Sequence, residues 1–395
     1  MSKEKYKPST ELCHDGDSYF THQGAIVPPI FQNSLFAFED WDAISNAFDD
    51  PAESSIYTRG VNPTVKIVEE KIAQLAGGEK ARLFASGMGA ISAAILHGVR
   101  QGSHIVSPQQ IYGPANNFMQ DYLSEKCGVE ISYTDGSLEA YKAAIRPNTS
   151  LFYLESPGSL KFPIQDLAAI CKLAKAHGIK TIIDNTWATP IFQNALGLGV
   201  DLEIHSCSKY LGGHSDIVAG VIIGAKKELD QIQLREQAWM GAKMAPFEAW
   251  LLLRSLRTLP LRMKQHQESG LAVARFLEGH PKIERVYHPG LESFPDYELG
   301  RQQMSGYGSL LSFELLTEDI DRIKQFTKQL HLFKMGVSWG GYESLIYAPL
   351  ISYLKEQTPE QFKAMGIAPG LMRISVGLED VQDLMDDLSK ALEAI

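Results

Sequence analysis

Two segments of the chain repeat apolar residues at the spacing of one helix face. The segment TVKIVEEKIAQLAGG carries apolar residues at Val65, Val68, Ile72 and Leu75 and then stops at two glycines. The segment QDLAAICKLAKAHG has the same pattern and ends at Gly178. Apolar positions three or four apart, closed by a glycine, are typical of an amphipathic helix with a defined carboxyl end. The sequence therefore predicts a helix in each segment.

Short apolar runs lie between the predicted helices. They are ARLFA, SHIVS, SLFYLE, KTIID and VAGVIIGA. Because these runs are apolar at nearly every position, they predict strands that are covered on both faces, as in a parallel sheet. Strands that alternate with helices at this spacing favour a doubly wound, mostly parallel α/β domain.

The regions on either side of this pattern have a different character. Residues 1–60 mix polar, loop-forming and aromatic residues, and they predict an arm that lacks a core of its own and lies over another surface. The strand–helix pattern fills 61–255, which we predict to be the large α/β domain. A long helical segment, the strand-like run GSLLSFEL and a final amphipathic segment follow. We expect 256–395 to form a smaller α+β domain.

Composition limits the class of protein. The chain has 395 residues, of which 44% are hydrophobic and 21% are charged, and its formal net charge is −10. Basic residues dispersed over an acidic chain argue against a nucleic-acid surface. No apolar run approaches the roughly 18–20 residues of a membrane span, and the polar amino terminus lacks the apolar core of a signal peptide. We therefore expect a globular protein of the cytoplasm.

The cysteines and histidines indicate neither a disulfide framework nor a metal centre. No CxxC pair occurs among the four cysteines, which are Cys13, Cys127, Cys171 and Cys207. Cysteines this far apart are typical of reduced thiols in the cytosol. The nearest candidate metal ligands, His205 and His214, have neither ligand spacing nor partners. We expect no metal.

Four predicted strands are followed by residues that could bind or react with a ligand. Gly87 and Met88 lie in the turn SGMG after the first strand, and Tyr112 follows the second. Asp184 ends the strand KTIID, and Lys209 follows the run EIHSCS. Ligands of an open parallel sheet bind beyond the carboxyl ends of its strands. Taken singly, each residue also fits an ordinary role: a tight turn, a core tyrosine, a helix cap or a surface lysine.

Together, these residues match the needs of one cofactor, pyridoxal 5′-phosphate (PLP). The N–H groups of a glycine-rich helix start can bind a phosphate. At an effective dielectric near 20, an ion pair at 4 Å is worth roughly 4 kcal/mol, so Asp184 could keep a ring nitrogen protonated. A desolvated Lys209 could act as a nucleophilic amine that forms an imine. Neither a G-x-G-x-x-G after a strand nor a Walker A motif competes with this interpretation.

Eight ordered motifs extend this pattern over nearly the whole chain. They are YTRGVNPT, LFASGMGA, IYGP, YLESPGS, IIDNTWATP, SCSKYLGGHSD, SWGGYESL and RISVGLEDVQDL. On these motifs the sequence resembles the Cys/Met-metabolism (transsulfuration) family of PLP enzymes. The resemblance implies the type I fold of PLP-dependent transferases and PLP as the cofactor. It also implies a small sulfur amino acid as substrate and a homo-oligomer, usually a tetramer built as a dimer of dimers.

The resemblance assigns roles to the residues at the strand ends. Lys209 corresponds to the lysine that forms the Schiff base with PLP, and Asp184 to the partner of its ring nitrogen. Tyr112 corresponds to the residue that stacks on the ring. The residues that would hold the phosphate are Gly87, Met88, Ser206 and Ser208.

Residues outside the predicted α/β domain also receive roles from the resemblance. Tyr57 and Arg59 resemble a pair that reaches the cofactor phosphate of a neighbouring subunit, which would explain the arm. Arg373 corresponds to the residue that binds the α-carboxylate of the substrate, with Ser338 and Trp339 beside it. A two-pronged arginine–carboxylate contact suits an amino-acid substrate.

Two departures from the family pattern bear on the reaction. ESPGS stands where many members have E-T-P-x-N-P, and Val337 stands where γ-eliminating and γ-replacing members often have glutamate. ESPGS and SWGGYESL are both similar to segments of bacterial cystathionine β-lyases. The resemblance therefore implies β-elimination of L-cystathionine, or a related cysteine S-conjugate, to a thiol, pyruvate and ammonia. Lys209 would be the general base, helped by Tyr57 of a neighbouring subunit.

Other functions remain as alternatives. Within the family, the main one is a γ-type enzyme: cystathionine γ-lyase, methionine γ-lyase or cystathionine γ-synthase. An aminotransferase would need a stoichiometric keto-acid acceptor, and the motifs argue against it. A PLP-binding regulator without catalytic activity is disfavoured, because Lys209 and Asp184 are both present and no DNA-binding segment is visible.

Overall fold

The computed structural model describes residues 6–14, 16–17, 19–356 and 367–395. The chain divides into two compact units. The first consists of Met1–Ser156 and Gln165–Pro260, and the second of Pro157–Ile164 and Leu261–Ile395. The short segment 157–164 thus groups with the carboxyl-terminal residues, although its position in the sequence does not indicate this. The predicted domain bounds themselves stay a prediction.

The first unit alternates helices and strands over most of its length. Its α-helices are α1 (Pro8–His14), α2 (Trp41–Asp49), α3 (Pro63–Ala76), α4 (Gly87–Gly98), α5 (Gly113–Asn117), α6 (Glu125–Cys127), α7 (Leu138–Ala144), α8 (Leu167–Ala176), α9 (Thr189–Phe192), α10 (Lys226–Ile232), α11 (Ala238–Met240) and α12 (Pro246–Leu256). Shorter helical types are a 3-10 helix at Tyr19–His22 and π-helices at Phe118–Ser124 and Gln233–Gln237. Its strands are β1 (Lys80–Phe84), β2 (His104–Pro108), β3 (Glu130–Thr134), β4 (Thr149–Glu155), β5 (Lys180–Asp184), β6 (Leu202–Ser206) and β7 (Gly220–Gly224).

These strands form one mostly parallel sheet. Their order is β1-β7-β6-β5-β4-β2-β3, and the pairs from β6 to β3 are parallel. Strand β7 runs antiparallel to both of its neighbours, β1 and β6. One buried cluster joins the sheet to α4, and another joins it to α8. Because strand residues pack in both clusters, successive positions of a strand are buried, which explains why the strands are apolar at successive positions.

The predicted amphipathic helices are present, and local signals set their ends. Asn62 caps α3 by accepting the N–H of Thr64 at 3.0 Å, and Pro63 occupies the first turn, where its missing N–H has no cost. Gly77 ends α3 with φ +74°, a conformation that glycine adopts without strain. The second predicted helix is α8, which is capped by Asp166. Helix boundaries were therefore readable from the sequence.

The second unit is an α+β structure built on a smaller sheet. Its helices are α13 (Leu259–Glu278), α14 (Tyr297–Gln303), α15 (Ile320–Gln329), α16 (Leu350–Glu356) and α17 (Val381–Glu393). Its strands are β8 (Ile283–Tyr287), β9 (Leu310–Leu315), β10 (Lys334–Met335), β11 (Leu345–Tyr347) and β12 (Leu371–Ser375). The order is β10-β11-β12-β9-β8, in which only β10 and β11 pair in parallel. The long helical segment, GSLLSFEL and the final amphipathic segment correspond to α13, β9 and α17.

A buried ion pair anchors the start of the predicted arm to α3. Lys71 Nζ lies 3.2 Å from Asp17 Oδ1, and both side chains are about 1% exposed. The same ammonium donates to the carbonyl of Leu12 at 3.2 Å, and Arg257 lies 3.4 Å from the other Asp17 oxygen. A buried charge is stable only while its partner is present. Asp17 therefore holds the start of the arm on α3 through a buried charge.

Removing this carboxylate should strongly destabilise the protein. In Asp17→Asn the Lys71 ammonium would stay buried without its anion, which costs about 3–5 kcal/mol in comparable cases. Urea unfolding followed by circular dichroism would measure the change. Asp321→Asn is the matched control, because Asp321 pairs with Lys324 at 3.0 Å on the exposed face of α15. That change should cost less than about 1 kcal/mol, and equal losses in the two variants would contradict the anchoring role.

Candidate active site

The carboxyl ends of three parallel strands meet at one edge of the large sheet. Glu155 ends β4 and is the register partner of Asp184, which ends β5. Asp184 is in turn the register partner of Ile204 in β6. Because register partners point to the same face of a sheet, the two carboxylates lie on one face at this edge. This edge is the place where an open parallel sheet binds ligands.

The first turn of α4 packs against the end of β6. Ser86 caps the helix, since its Oγ accepts the N–H of Gly89 at 2.9 Å. A Cβ atom added to Gly87 would lie 3.0 Å from both Cβ and Oγ of Ser206, so a larger residue would crowd this contact. The N–H groups of a first turn have no acceptor within their own helix. Together with the Ser206 hydroxyl they form a site suited to a phosphate.

The other two predicted phosphate ligands, Ser208 and Met88, also have structural contacts. Ser208 Oγ accepts the N–H of Ala219 at 3.1 Å, so its hydroxyl also ties the turn after β6 to the segment before β7. The Met88 side chain packs against the buried cluster around α4. Its backbone N–H, rather than its side chain, is therefore the group with anion-binding character.

Asp184 is a buried carboxylate held by its neighbours. Its Oδ1 accepts the N–H of Thr186 at 3.0 Å and the Thr186 hydroxyl at 2.5 Å. Burial raises the pKa of the Asp184 carboxyl above its ordinary value, while Thr186 and the positive charges of His205 and Lys209 oppose that shift. A carboxylate in this environment gains most from a cation placed against it. Asp184 therefore suits a protonated ring nitrogen.

Lys209 lies in the tight turn that follows β6. Its backbone N–H donates to the carbonyl of Ser206 at 3.2 Å, and its carbonyl accepts the N–H of Gly213 at 2.7 Å. The side chain is half-buried, and its neighbours in the chain, Cys207 and Tyr210, are fully buried. The ammonium is close enough to Asp184 to act on the pKa of that carboxyl. The structure thus brings the predicted amine and carboxylate to the same edge.

Tyr112 joins this edge through Glu155. The Tyr112 N–H donates to Glu155 Oε2 at 2.7 Å, at the start of α5. Burial raises the pKa of the Tyr112 phenol, and the negative charges of Asp184 and Glu155 raise it further. The phenol therefore keeps its proton at neutral pH, and its ring, 42% exposed, can cover a ligand beside Asp184.

Tyr57 and Arg59 lie together in the arm. The Arg59 guanidinium lies 5.3 Å from the centre of the Tyr57 ring, and Tyr57 forms an isolated bridge with Leu35. Both side chains are largely exposed. A cation held over an exposed aromatic ring is suited to contact an anion brought by another molecule. Their role at a neighbouring subunit stays a prediction.

The second unit holds the predicted carboxylate site. Arg373 lies on β12, opposite Tyr347 on β11, and its guanidinium is 5.3 Å from the Tyr347 ring centre. Burial lowers the pKa of the Arg373 guanidinium, and the interaction with Tyr347 opposes this shift. A guanidinium in this position gains from an anion such as a carboxylate.

The loop with Ser338 and Trp339 is tied to the same strand as Arg373. Ser338 has φ +75°, a conformation that is strained for a residue with a side chain. The N–H of Gly340 donates to Ser375 Oγ at 3.0 Å, two residues along β12 from Arg373. The predicted substrate residues of this unit therefore belong to one local structure.

Sequence reasoning missed several polar residues at the edge of the large sheet. Glu155 holds Tyr112, and Thr186 holds Asp184. Glu203 and His205 form a buried pair 2.7 Å apart on β6. The signal was present in LEIHS, where polar residues occupy alternate positions of a strand that is otherwise apolar.

The described residues offer neither a metal centre nor a membrane-spanning helix. Within it, no group of three or more His, Cys, Asp or Glu side chains is placed to hold a metal ion. No helix in that part combines the length and the apolar character that a bilayer crossing requires.

The residues at this edge fit the three parts of PLP. The first turn of α4 and Ser206 suit the phosphate, and the crowding at Gly87 shows that their backbones approach closely. Asp184 suits the ring nitrogen because a cation would offset its burial. Lys209 supplies an amine at the end of the neighbouring strand. When bound, PLP supplies an electron sink for charge that develops on the substrate.

Comparison with known proteins gives the same result over almost the full length. The family model described as "Cys/Met metabolism PLP-dependent enzyme" matches residues 9–393. The chain is 41% identical to an L-methionine gamma-lyase of Porphyromonas gingivalis. The 375 aligned residues cover 94% of each protein. It is 39% identical to an L-methionine gamma-lyase of Pseudomonas putida, over 98% of this chain and 97% of the relative. It is 37% identical to a cystathionine beta-lyase of Lactococcus lactis subsp. cremoris, over 97% of this chain and 98% of the relative.

The predicted family, the type I fold and the cofactor are confirmed, since the family model spans both units of the structure. The lyase class is supported at the level that the relatives share, and the choice between β- and γ-elimination is left open. The chain belongs to the Cys/Met-metabolism family of PLP-dependent enzymes.

Proposed function

We propose that the protein is a carbon–sulfur lyase that releases a thiol, ammonia and a 2-oxo acid from a sulfur amino acid. The observation that carries this proposal is the set of full-length relatives, each of which is by name a lyase of methionine or cystathionine. The edge with Lys209 and Asp184 provides an amine and a carboxylate in the arrangement that such a reaction needs.

Of the two eliminations, γ-elimination of methionine has the stronger support. The relatives named methionine gamma-lyase are 37–41% identical, against 37% for those named cystathionine beta-lyase. Val337 adds a physical argument, because it is 71% exposed beside Ser338 and carries no charge. Although γ-type members often have glutamate at this position, an uncharged side chain suits the apolar methyl thioether of methionine better than the distal ammonium of cystathionine.

β-Elimination of cystathionine is the second candidate. It is favoured by the ESPGS and SWGGYESL segments and by the relatives of that name from two subspecies of Lactococcus lactis. The two reactions would use the same amine, carboxylate and carboxylate-binding arginine. They differ in which carbon–sulfur bond breaks, so the product separates them.

The roles of the side chains follow from their chemistry. Arg373 would bind the α-carboxylate, and Asp184 would keep a proton on the ring nitrogen of the cofactor. Lys209 Nζ would take the α-proton as general base and later return a proton to a substrate carbon or the leaving sulfur. Tyr57 of a neighbouring subunit would assist, and Tyr112 would cover the ring. These assignments remain proposals.

Product analysis tests the function directly. The purified enzyme is offered L-methionine and L-cystathionine in separate reactions, and the 2-oxo acid is identified by mass spectrometry. γ-Elimination yields 2-oxobutyrate from either substrate, whereas β-elimination yields pyruvate from cystathionine and nothing from methionine. Absence of ammonia and dependence on an added keto acid would instead identify an aminotransferase, which would contradict the lyase proposal.

Replacing Arg373 should weaken substrate binding. Arg373→Lys keeps the charge but loses the two-pronged contact, and hydrogen bonds to charged groups are worth about 1.5–3 kcal/mol. We expect KM to rise roughly 10- to 100-fold, with a smaller change in kcat. Arg285→Lys is the matched control, because Arg285 also lies over a tyrosine of this sheet, 6.0 Å from the Tyr287 ring centre, but is exposed. A KM equal to that of the control would contradict the assignment.

We further propose that the active enzyme is a homo-oligomer completed by exchange of the arm. Large apolar side chains of the arm are exposed in the isolated chain, namely Phe20, Ile26, Leu35, Trp41 and Phe48. Exposed apolar groups this numerous are typical of an interface. Light scattering on the purified protein tests this proposal, and a monomer with full activity would contradict it.

A further inference from the structure

A group of hydrogen-bonded, buried polar side chains lies near Asp184. Glu203 Oε1 is 2.7 Å from His205 Nε2 and accepts an N–H of Asn185 at 2.8 Å. The same Asn185 amide donates to the carbonyl of Gln193 at 3.0 Å. Gln193 Nε2 donates to Asn185 Oδ1 at 2.9 Å and to the carbonyl of Ser156 at 2.7 Å. We refer to Glu203, His205, Asn185 and Gln193 as the Glu203 network.

The Glu203 network lies on the opposite face of the sheet from Asp184. Asp184 is the register partner of Ile204, whereas Glu203 is the partner of Ile183. Because successive strand residues point to opposite faces, Glu203 and His205 project toward the side of Ile183, which packs in the cluster with α8. The network therefore backs the strand ends on which the candidate active site is built.

Burying the Glu203 network in the sheet costs free energy of folding. Glu203 and His205 are fully buried, and Glu203 Oε2, His205 Nδ1 and Gln193 Oε1 have no hydrogen-bond partner among the described residues. Interior strands of parallel sheets ordinarily carry valine or isoleucine at these positions. Replacing a buried ion pair by apolar residues is often neutral or stabilising. Stability alone therefore does not explain why Glu203 and His205 are there.

The network reaches Asp184 through Asn185 and His205. Asn185 follows Asp184 directly, and its N–H donates to the carbonyl of Ile204 at 2.9 Å, so Glu203 helps to fix the junction of β5 and β6. On the other face, Thr186 Oγ1 accepts the N–H of Ser206 at 2.9 Å and contacts Asp184. In addition, the positive charge of His205 lowers the pKa of Asp184, against the effect of burial.

We propose that Glu203 is a positioning residue, which acts through His205 and Asn185 to hold Asp184 oriented and ionised toward the ring nitrogen of PLP. The inference rests on the proposed role of Asp184 but not on the identity of the sulfur substrate. It assigns a function to a carboxylate that touches neither substrate nor cofactor. Its effect should be visible in the cofactor itself, because the protonation of the ring nitrogen shapes the absorbance of bound PLP.

The test uses Glu203→Gln, which keeps the size of the side chain and an acceptor for Asn185 but removes the charge. We expect kcat to fall about tenfold, the scale seen when an outer-shell partner of an active-site group is lost. KM should change less than about twofold, because substrate contacts are intact. The pH at which the absorbance of bound PLP changes should move by about one unit, since His205 loses its anionic partner and with it part of its effect on Asp184.

Glu69→Gln is the matched control. Glu69 is also a buried carboxylate in an ion pair, 2.7 Å from Arg82, and it joins α3 to β1. This change should lower stability and leave kcat and the PLP absorbance unaltered. If Glu203→Gln behaves in the same way, Glu203 is structural and the proposal is wrong.

A second variant covers the case in which Glu203→Gln does not fold. His205→Gln keeps a hydrogen-bond donor toward Glu203 and removes the imidazole, and it should show the same shift in PLP absorbance. An absorbance profile equal to that of the wild type would overturn the proposal. The absorbance is measured without substrate, so a protein that lacks carbon–sulfur lyase activity but shows the shift would refute only the proposed reaction.

Discussion

Lys209→Ala should abolish turnover and remove the visible absorbance that the cofactor acquires when it is bound to the lysine. The variant loses both the amine that holds PLP covalently and the base that takes the α-proton. General acid–base catalysis alone contributes about 10²–10⁴-fold, so a loss of at least roughly 10³-fold in kcat is expected. Steady-state assay of the 2-oxo acid, together with an absorbance spectrum, measures both effects.

Lys226→Ala is the control for this experiment. Lys226 begins α10, pairs with Asp230 at 2.6 Å, and is half exposed. Solvent screens surface ion pairs of this kind, so rate and spectrum should be those of the wild type. Near-normal turnover in Lys209→Ala would refute the assignment of roles at the whole edge.

Asp184→Asn should give the second largest effect. The change preserves the size of the side chain and the contacts with Thr186 while removing the charge that a protonated ring nitrogen requires. An ion pair at 4 Å is worth roughly 4 kcal/mol at an effective dielectric near 20, and about 1.36 kcal/mol corresponds to tenfold in rate. We therefore expect kcat to fall by about 10³-fold, measured under saturating cofactor and substrate.

A change at the other end of the neighbouring strand serves as its control. Asp201 immediately precedes β6 and accepts the N–H and the hydroxyl of Thr181, both at 2.8 Å. Asp201→Asn should reduce stability and leave kcat unchanged, because this carboxylate lies away from the carboxyl edge. If both variants lose activity equally, the loss reports on folding and Asp184 has no special electrostatic role.

The parts of the site that could be predicted are those that follow strand ends. Asp184 and Lys209 come directly after apolar runs, and a parallel sheet collects the carboxyl ends of its strands at one edge. Glu155 obeys the same rule, since it ends SLFYLE, but it was not recognised as the residue that holds Tyr112. The rule that functional residues follow strand ends identifies the residues at this edge, but it does not say which of them are in contact.

The parts that could not be predicted depend on contacts between distant segments. The pairing of Asp17 with Lys71 joins residues far apart in the sequence, and no local pattern marks either as a buried charge. The position of Tyr347 over Arg373 follows from the register of β11 on β12. Strand register is set by the packing of the whole sheet, so such pairs appear only once the fold is formed.

The family, the cofactor and the order of helices and strands follow from signals in the sequence. Periodicity, caps and strand-end residues are local signals, and each is written in a few consecutive positions. Three features become visible only in the folded chain: Glu203 and His205 lie behind Asp184, Thr186 bridges Asp184 to Ser206, and segment 157–164 groups with the second unit. The physical reason is that burial and electrostatic coupling depend on distance in space, which the spacing of residues along a chain does not fix.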